Sequence, residues 1–289
     1  MIENTIPNVL IVLVLYKVAP ATCQTLSSLC ASVEKCALTV SFKLLIYDNS
    51  PTSSLLAKTI PIPVSYVHDR DNGGLAAAYN TAVEMALKEG VHWVLLLDQD
   101  TSLTPEYLMA IDEVLPEIGA EIKIAALVPK LRSGLKVVSP TRVLWGGILR
   151  PVSADFSGVA PFETSALNSG ALIRVSAIQQ IGGFDNRFWL DYLDYWMFNR
   201  LHHADHAVYV MDTAISHELS VDDFAKMTEH RYRNILTAEA LFFRLCKSPM
   251  EQKFYLLRLV GRAFKRLLGP GGVKFFRLTL HHMRGVLQQ

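Results

Sequence analysis

The chain has 289 residues, 51% hydrophobic and 19% charged, with a formal net charge of +1 at pH 7. That length holds one large α/β domain with an appendage or two small domains, and so balanced a charge gives no global case for nucleic acid as a partner. No stretch supplies the roughly 18 or more uncharged residues of a membrane-spanning helix. No basic segment and cleavage site frame the first apolar run as a signal peptide. The four cysteines (Cys23, Cys30, Cys36, Cys246) lack metal-type or secreted-scaffold spacing, and the expected compartment is the cytoplasm.

Val9–Tyr16 reads as a strand, and Ala21–Cys36 carries apolar residues at helical spacing. Lys43–Tyr47 is a second strand, ending in the turn residues Asp48-Asn49-Ser50-Pro51. Val64–His68 is a third. Asp71-Asn72-Gly73-Gly74 makes a turn, and Leu75–Lys88 an Ala-rich helix closed by Gly90. Trp93–Leu97 is the fourth strand, and Thr104-Pro105-Glu106 opens the next helix with a cap and a proline. Strand–helix alternation of this kind predicts a mostly parallel sheet with helices on both faces.

The second half is less regular. Strands are expected at Ile124–Val128, Ala171–Arg174 and Ala207–Val210, and a short helix at Val175–Ile181 stopped by Gly182-Gly183. Residues 131–165 read as loops with a hairpin. From about Phe224 the pattern is helical, broken at Gly269-Pro270-Gly271-Gly272. The expected division is an α/β domain over residues 1–222 and a helical, basic, amphipathic region over 223–289.

The chemistry concentrates at strand ends. His92-Trp93-Val94-Leu95-Leu96-Leu97 runs into Asp98-Gln99-Asp100. Asp is almost never buried without a partner, so two carboxylates at the carboxyl edge of a core strand point to a divalent cation carrying a phosphate. Asn72-Gly73-Gly74 opens a helix, where glycines permit positive φ and backbone amides favour anions. Asp48-Asn49-Ser50 ends the second strand, and Tyr16 and Lys17 end the first. Further on come Gly182-Gly183-Phe184-Asp185 and Trp189-Leu190-Asp191-Tyr192-Leu193-Asp194-Tyr195-Trp196. Asp191 and Asp194 would share a helix face if that segment is helical.

Together these segments, across roughly residues 8–240, resemble inverting nucleotide-sugar glycosyltransferases of family 2. Within that family they are most similar to bacterial rhamnosyltransferases of polysaccharide and O-antigen assembly. The resemblance implies the GT-A fold and transfer of L-rhamnose from dTDP-L-rhamnose to a lipid-linked saccharide, or the same chemistry with a UDP- or GDP-linked sugar. It implies that Asp100, with Asp98 and His217, holds Mg²⁺ or Mn²⁺. Tyr16, Asp48, Asn72, Gly73, Gly74 and Asp98 would line the donor site. Asp194 would be the general base, and Trp189, Asp191, Tyr192 and Trp196 would face the acceptor. Lys17 stands where the family has Asn, and Leu193 where it often has the Glu preceding the base. That second departure alone favours a catalytically idle glycan- or lipid-binding protein. Haloacid-dehalogenase phosphatases also carry a DxDx(T/V) motif, but on their first strand, whereas here it follows the fourth.

The tail beyond Arg244 interleaves Lys and Arg with Phe and Leu, and Glu251 is its only acid. A basic amphipathic helix predicts contact with a membrane surface. That placement, on the inner leaflet of the cytoplasmic membrane, suits a polyprenyl-diphosphate-linked acceptor. Homo-oligomer formation is left open by the sequence.

Overall fold

The computed structural model describes residues 8–54, 59–216, 227–267 and 272–287. β1 (Asn8–Leu15) is an aliphatic run buried almost throughout, as a central parallel strand requires. The alternation continues through α1 (Gln24–Lys35), β2 (Ser41–Asp48), β3 (Val64–His68), α2 (Gly74–Lys88), β4 (Trp93–Asp98) and α3 (Pro105–Ile118). Thr104 caps α3 by accepting from the Tyr107 amide, and Pro105 opens it, as the sequence predicts.

β5 (Ile124–Ser133) runs past the expected end of its strand. The stretch expected as loops with a hairpin holds β6 (Lys136–Ser139), hairpinned to β5, and also β7 (Thr141–Leu144), β8 (Ile148–Pro151), β9 (Gly158–Val159) and β10 (Thr164–Ser165). Pieces of two to four residues are too short for alternation to register. After β11 (Ala171–Arg174), α4 (Val175–Gln180) and α5 (Leu193–His203), β12 (Ala207–Ser216) also outruns its expected end. Its pairing with β5 shifts between Val210 and Ala214, and that irregularity hides the rest of the strand from a period-two reading.

Among the described residues one sheet runs β3-β2-β1-β4-β11-β5-β12-β9, with β6 paired to β5. β3, β2, β1 and β4 are mutually parallel, and β11 lies antiparallel between β4 and β5. Alternate residues of β1, β2 and β4 pack with Leu26 and Leu29 of α1 and with Tyr107, Leu108 and Ile111 of α3. The Ala-rich α2 approaches β1 and β4 with its own buried face, Ala76, Tyr79, Ala82 and Val83. The order reverses at β1, from which β2 and β3 extend one way and β4 the other. Open α/β sheets bind ligands at the carboxyl ends of strands flanking such a reversal.

Among the described residues, those up to Arg142 together with those from Pro151 to Ser216 form one compact unit, and Val143–Arg150 with those from Met227 onward form another. The second contains α6 (Glu229–Cys246), α7 (Pro249–Leu267) and α8 (Gly272–Leu287). The sequence pattern runs through the break between α6 and α7, where Pro249 opens the new helix. Glu239, almost fully buried, is held by two bonds from Arg262, so its charge is not left uncompensated. Arg258 donates to the Gly146 carbonyl at 2.8 Å and Glu251 accepts from the Gly146 amide, seating the Trp145–Gly147 turn on α7. Among the described residues no helix is long and apolar enough to cross a membrane.

Candidate active site

Strand register assembles the edge. Leu15 stands beside Asp48, Val14 beside Asp98, and Asp48 beside His68, so β1, β2, β3 and β4 finish almost level. The turn after β4 is braced by α1. The Thr25 hydroxyl donates to the Asp98 carbonyl at 2.6 Å and accepts from the Thr101 amide at 2.8 Å. Ser28 accepts from the Leu103 amide and Ser32 donates to the Leu103 carbonyl. The sequence signal for this brace is two hydroxyl residues, Thr25 and Ser32, among the buried leucines of α1. Gln99 accepts from the Tyr16 amide at 2.8 Å, tying the ends of β1 and β4 together. Asp100 is exposed, whereas Asp98 is half-buried and accepts from the Ser169 hydroxyl.

Tyr16 is 42% exposed at the head of this edge, with the Lys17 ammonium over its ring. Asp48 is fully buried and faces its own surroundings, accepting from the Ser50 amide at 2.9 Å and the Tyr66 hydroxyl at 2.6 Å. Burial opposes its ionisation, but the bonds from Ser50 and Tyr66 prevail and hold the carboxyl below its ordinary value. Much of its accepting capacity is thus spent within the protein.

The turn into α2 departs from expectation in one detail. Asn72 and Gly74 have positive φ (56° and 78°), whereas Gly73 is in the ordinary helical region. Gly73 is nonetheless constrained, because a Cβ there would lie 2.8 Å from an Asp69 oxygen. Asp69 accepts from the Gly73 amide, the Asp71 amide and the Tyr47 hydroxyl, so it serves this turn. Trp189 closes the turn from outside. Its indole donates to the Asn72 carbonyl at 2.8 Å, and its carbonyl accepts from the Leu75 amide at 2.9 Å. Two amides at the start of α2, those of Gly73 and Leu75, are therefore already bonded. Asn80 clasps both the amide and the carbonyl of Phe184 at 2.8 Å, so α2 also carries the segment leading to α5.

α5 begins only at Leu193, after Tyr192 in the left-handed region. Asp191 therefore lies outside the helix, and the shared helix face expected for Asp191 and Asp194 does not form. Trp196 turns into the core at 7% exposure and packs on Phe188, so it does not present its face to an acceptor. Trp189 is 41% exposed, and Tyr192 lies beside Tyr195 with ring centroids 4.8 Å apart. Asp194 sits in the first turn of α5 and accepts from the Tyr195 amide. Burial first, then the charges of Asp98 and Asp191, push its carboxyl up to about 7. The charge of Asp98 is thus felt by Asp194. His217, expected as a metal ligand, lies outside the described residues.

Several polar atoms here are buried without a hydrogen-bond partner: Asn49 Oδ1, Tyr79 Oη, Thr101 Oγ1 and Asn168 Oδ1. Such atoms are uncommon in native interiors, and a ligand is one way to satisfy them. Among the described residues no three His, Cys, Asp or Glu side chains converge to hold a metal. Two carboxylates two residues apart fit a hard cation that takes its remaining ligands from a diphosphate and water.

The model of glycosyl transferase family group 2 matches residues 93–288, and that of glycosyl transferase family 2 matches residues 10–136. The chain belongs to glycosyl transferase family group 2. This family 2 glycosyltransferase has the GT-A fold, shared with solved structures of low sequence identity. Mannosyltransferase PcManGT from Pyrobaculum calidifontis, in complex with GDP-Man and Mn²⁺, aligns over 99% of this chain and 77% of its own at a TM-score of 0.55 and 15% identity. TarS from S. aureus, residues 1–349, aligns over 97% and 91% at 0.50 and 14%. Longer TarS aligns over 97% of this chain and 55% of its own, at 0.50 and 16%. No curated protein sequence matches the chain.

The raised carboxyl of Asp194 has a stability consequence. Folding takes up a proton on Asp194 between its unfolded value near 4 and about 7, so this group's contribution falls as pH rises through that window. Asp194→Asn should leave stability nearly unchanged at pH 4. At pH 8 it should raise it by on the order of 1–4 kcal/mol, read from urea unfolding. An equal effect at both pH values would contradict the raised pKa.

Proposed function

We propose that this glycosyltransferase moves a sugar from a nucleoside-diphosphate donor to an acceptor hydroxyl with inversion at the anomeric carbon. The observation that supports this reading best is the pairing of the Asp98–Asp100 turn with Asp194, a carboxyl whose pKa is raised to about 7 and on which Asp98 acts directly. A general base works best with a pKa near the working pH. Asp194 takes the proton of the acceptor hydroxyl as that oxygen forms its bond to the anomeric carbon. The bond from that carbon to the diphosphate oxygen breaks, and the nucleoside diphosphate leaves with the electron pair. Asp100 and Asp98, with His217 as a further ligand, would hold Mg²⁺ or Mn²⁺. A bound cation of this kind supplies positive charge against the departing diphosphate. Tyr16 offers an exposed ring to the nucleobase, the Asn72–Gly74 turn borders the donor, and Trp189, Asp191 and Tyr192 border the acceptor.

The donor we propose is dTDP-L-rhamnose, on the motif resemblance. The GDP-Man and Mn²⁺ complex of PcManGT supports a nucleotide sugar with a divalent cation and keeps a GDP-linked sugar as the second reading. Asp194→Asn should keep donor binding near the wild-type value and lower transfer by about 100-fold or more, losing the rise of kcat/KM near pH 7. Asp100→Ala should weaken metal-dependent donor binding as well. Product formation from dTDP-L-rhamnose, UDP- and GDP-sugars reads both, and near-normal turnover of Asp194→Asn refutes the base assignment.

The acceptor we propose is a polyprenyl-diphosphate-linked saccharide, reached from the inner face of the cytoplasmic membrane. α7 supports this. Its buried face is Tyr255, Leu259 and Ala263, while Met250, Leu257, Val260 and Phe264 line the opposite, exposed side. Exposed Lys253 lies within that stripe and exposed Lys265 beside it, which suits an anionic lipid surface. The protein should co-sediment with phosphatidylglycerol vesicles and lose this in high salt and in Leu257→Glu/Phe264→Glu. Sedimentation of the double variant equal to wild type contradicts the membrane face.

A further inference from the structure

The Asp98 side chain is held from a neighbouring strand. The Ser169 hydroxyl donates to Asp98 Oδ2 at 2.5 Å, and Ser169 is itself almost fully buried. In the β4–β11 ladder Ala171 stands beside Leu96 and Leu172 beside Leu95, so Ser169, just before β11, falls level with Asp98 at the carboxyl end of β4. The turn that carries Ser169 has little freedom. The Gly170 amide donates to the Leu96 carbonyl at 2.9 Å, and the Gly170 carbonyl accepts from the buried Tyr107 hydroxyl at 2.7 Å. The Ala171 amide donates to the Asn168 carbonyl at 2.8 Å. Gly170 has a φ of 78°, and a Cβ on it would lie 2.9 Å from the Ile215 side chain, so the turn admits no other residue without a shift.

Asp98 is thus fixed twice: Thr25 bonds its main-chain carbonyl and Ser169 bonds its carboxylate. A carboxyl group is planar, so holding its backbone and one oxygen also sets the direction of the other oxygen. The inference rests on the reading that the Asp98–Asp100 turn holds a divalent cation with the donor diphosphate. Carboxylates that ligate metals are oriented by their own hydrogen-bond partners, and loss of a partner weakens the metal. We propose that Ser169 is a positioning residue for the cation site, holding Asp98 in the orientation that meets the cation. Ser169 touches neither the sugar nor the reacting atoms and acts only through Asp98. Its contribution is to affinity for the cation, because a ligand already held in place loses less conformational freedom on binding.

Ser169→Ala removes one oxygen and keeps the backbone. Mn²⁺ is titrated into wild type and variant in the presence of excess dTDP, GDP or UDP, whichever wild type binds, and the free ion is read by electron paramagnetic resonance. The variant should bind Mn²⁺ about 10- to 100-fold more weakly. It should bind the nucleotide without cation as wild type does, and recover most of the transfer rate when Mn²⁺ is saturating. Ser169→Cys, close in size but a weak donor, should fall between the two, and gives the reading if the alanine variant does not fold. A folded variant with unchanged Mn²⁺ affinity, whatever its melting temperature, overturns the inference and leaves the donor reading standing. So does a variant that loses nucleotide binding equally with and without Mn²⁺. A wild-type protein whose nucleotide binding does not depend on the cation overturns both.

Discussion

Parallel strands bring their carboxyl ends to one edge of a sheet, and the register between them decides what meets there. Here β1 is in register with β2 and β4 so that Leu15 stands beside Asp48 and Val14 beside Asp98. A one-residue slip would turn every side chain of a strand to the opposite face, and it would also carry Asp98 away from Ser169 and from the Thr25 brace. The buried aliphatic residues of β1 and β4 hold that register, so the core that stabilises the fold also aligns the chemistry.

Burying a carboxyl that other carboxylates act on carries a stability penalty. Burial first, and then the charges of Asp98 and Asp191, oppose ionisation of Asp194. The surroundings offset this with donors: Ser169 to Asp98, the Tyr195 amide to Asp194, and the rigid link from α2 through Asn80 and Trp189 to the α5 entrance. Cation and sugar would complete the compensation in the loaded enzyme. Sites of this kind trade stability for reactivity.

The strand–helix alternation of the first half is legible in the sequence because long aliphatic runs and capped helices are local signals. Val64–His68 and Ala171–Arg174 appear as strands over the very residues the pattern predicts. Apart from β6, which makes a local hairpin with β5, the small strands paired in this stretch are not legible, since β9 and β10 are held by partners about 20 or more residues away rather than by their own pattern. In the site, Asp98 and Asp194 stand out as carboxylates beside apolar runs. Thr25 and Ser169 do not, because their meaning lies in hydrogen bonds to Asp98 across 73 and 71 residues of chain. Trp196 shows the reverse error: an aromatic near a carboxylate reads as a binding wall until packing shows it in the core.

The claim on which the rest of the account depends is that the edge formed by β1, β2 and β4 binds a nucleoside diphosphate together with a divalent cation. Calorimetric titration of dTDP, UDP and GDP, each with and without Mn²⁺ or Mg²⁺, addresses it most directly. The account predicts saturable binding that requires the cation, with dTDP preferred. Binding of UDP or GDP instead would keep the mechanism and change the sugar, whereas no binding of any nucleotide under any condition would contradict the account.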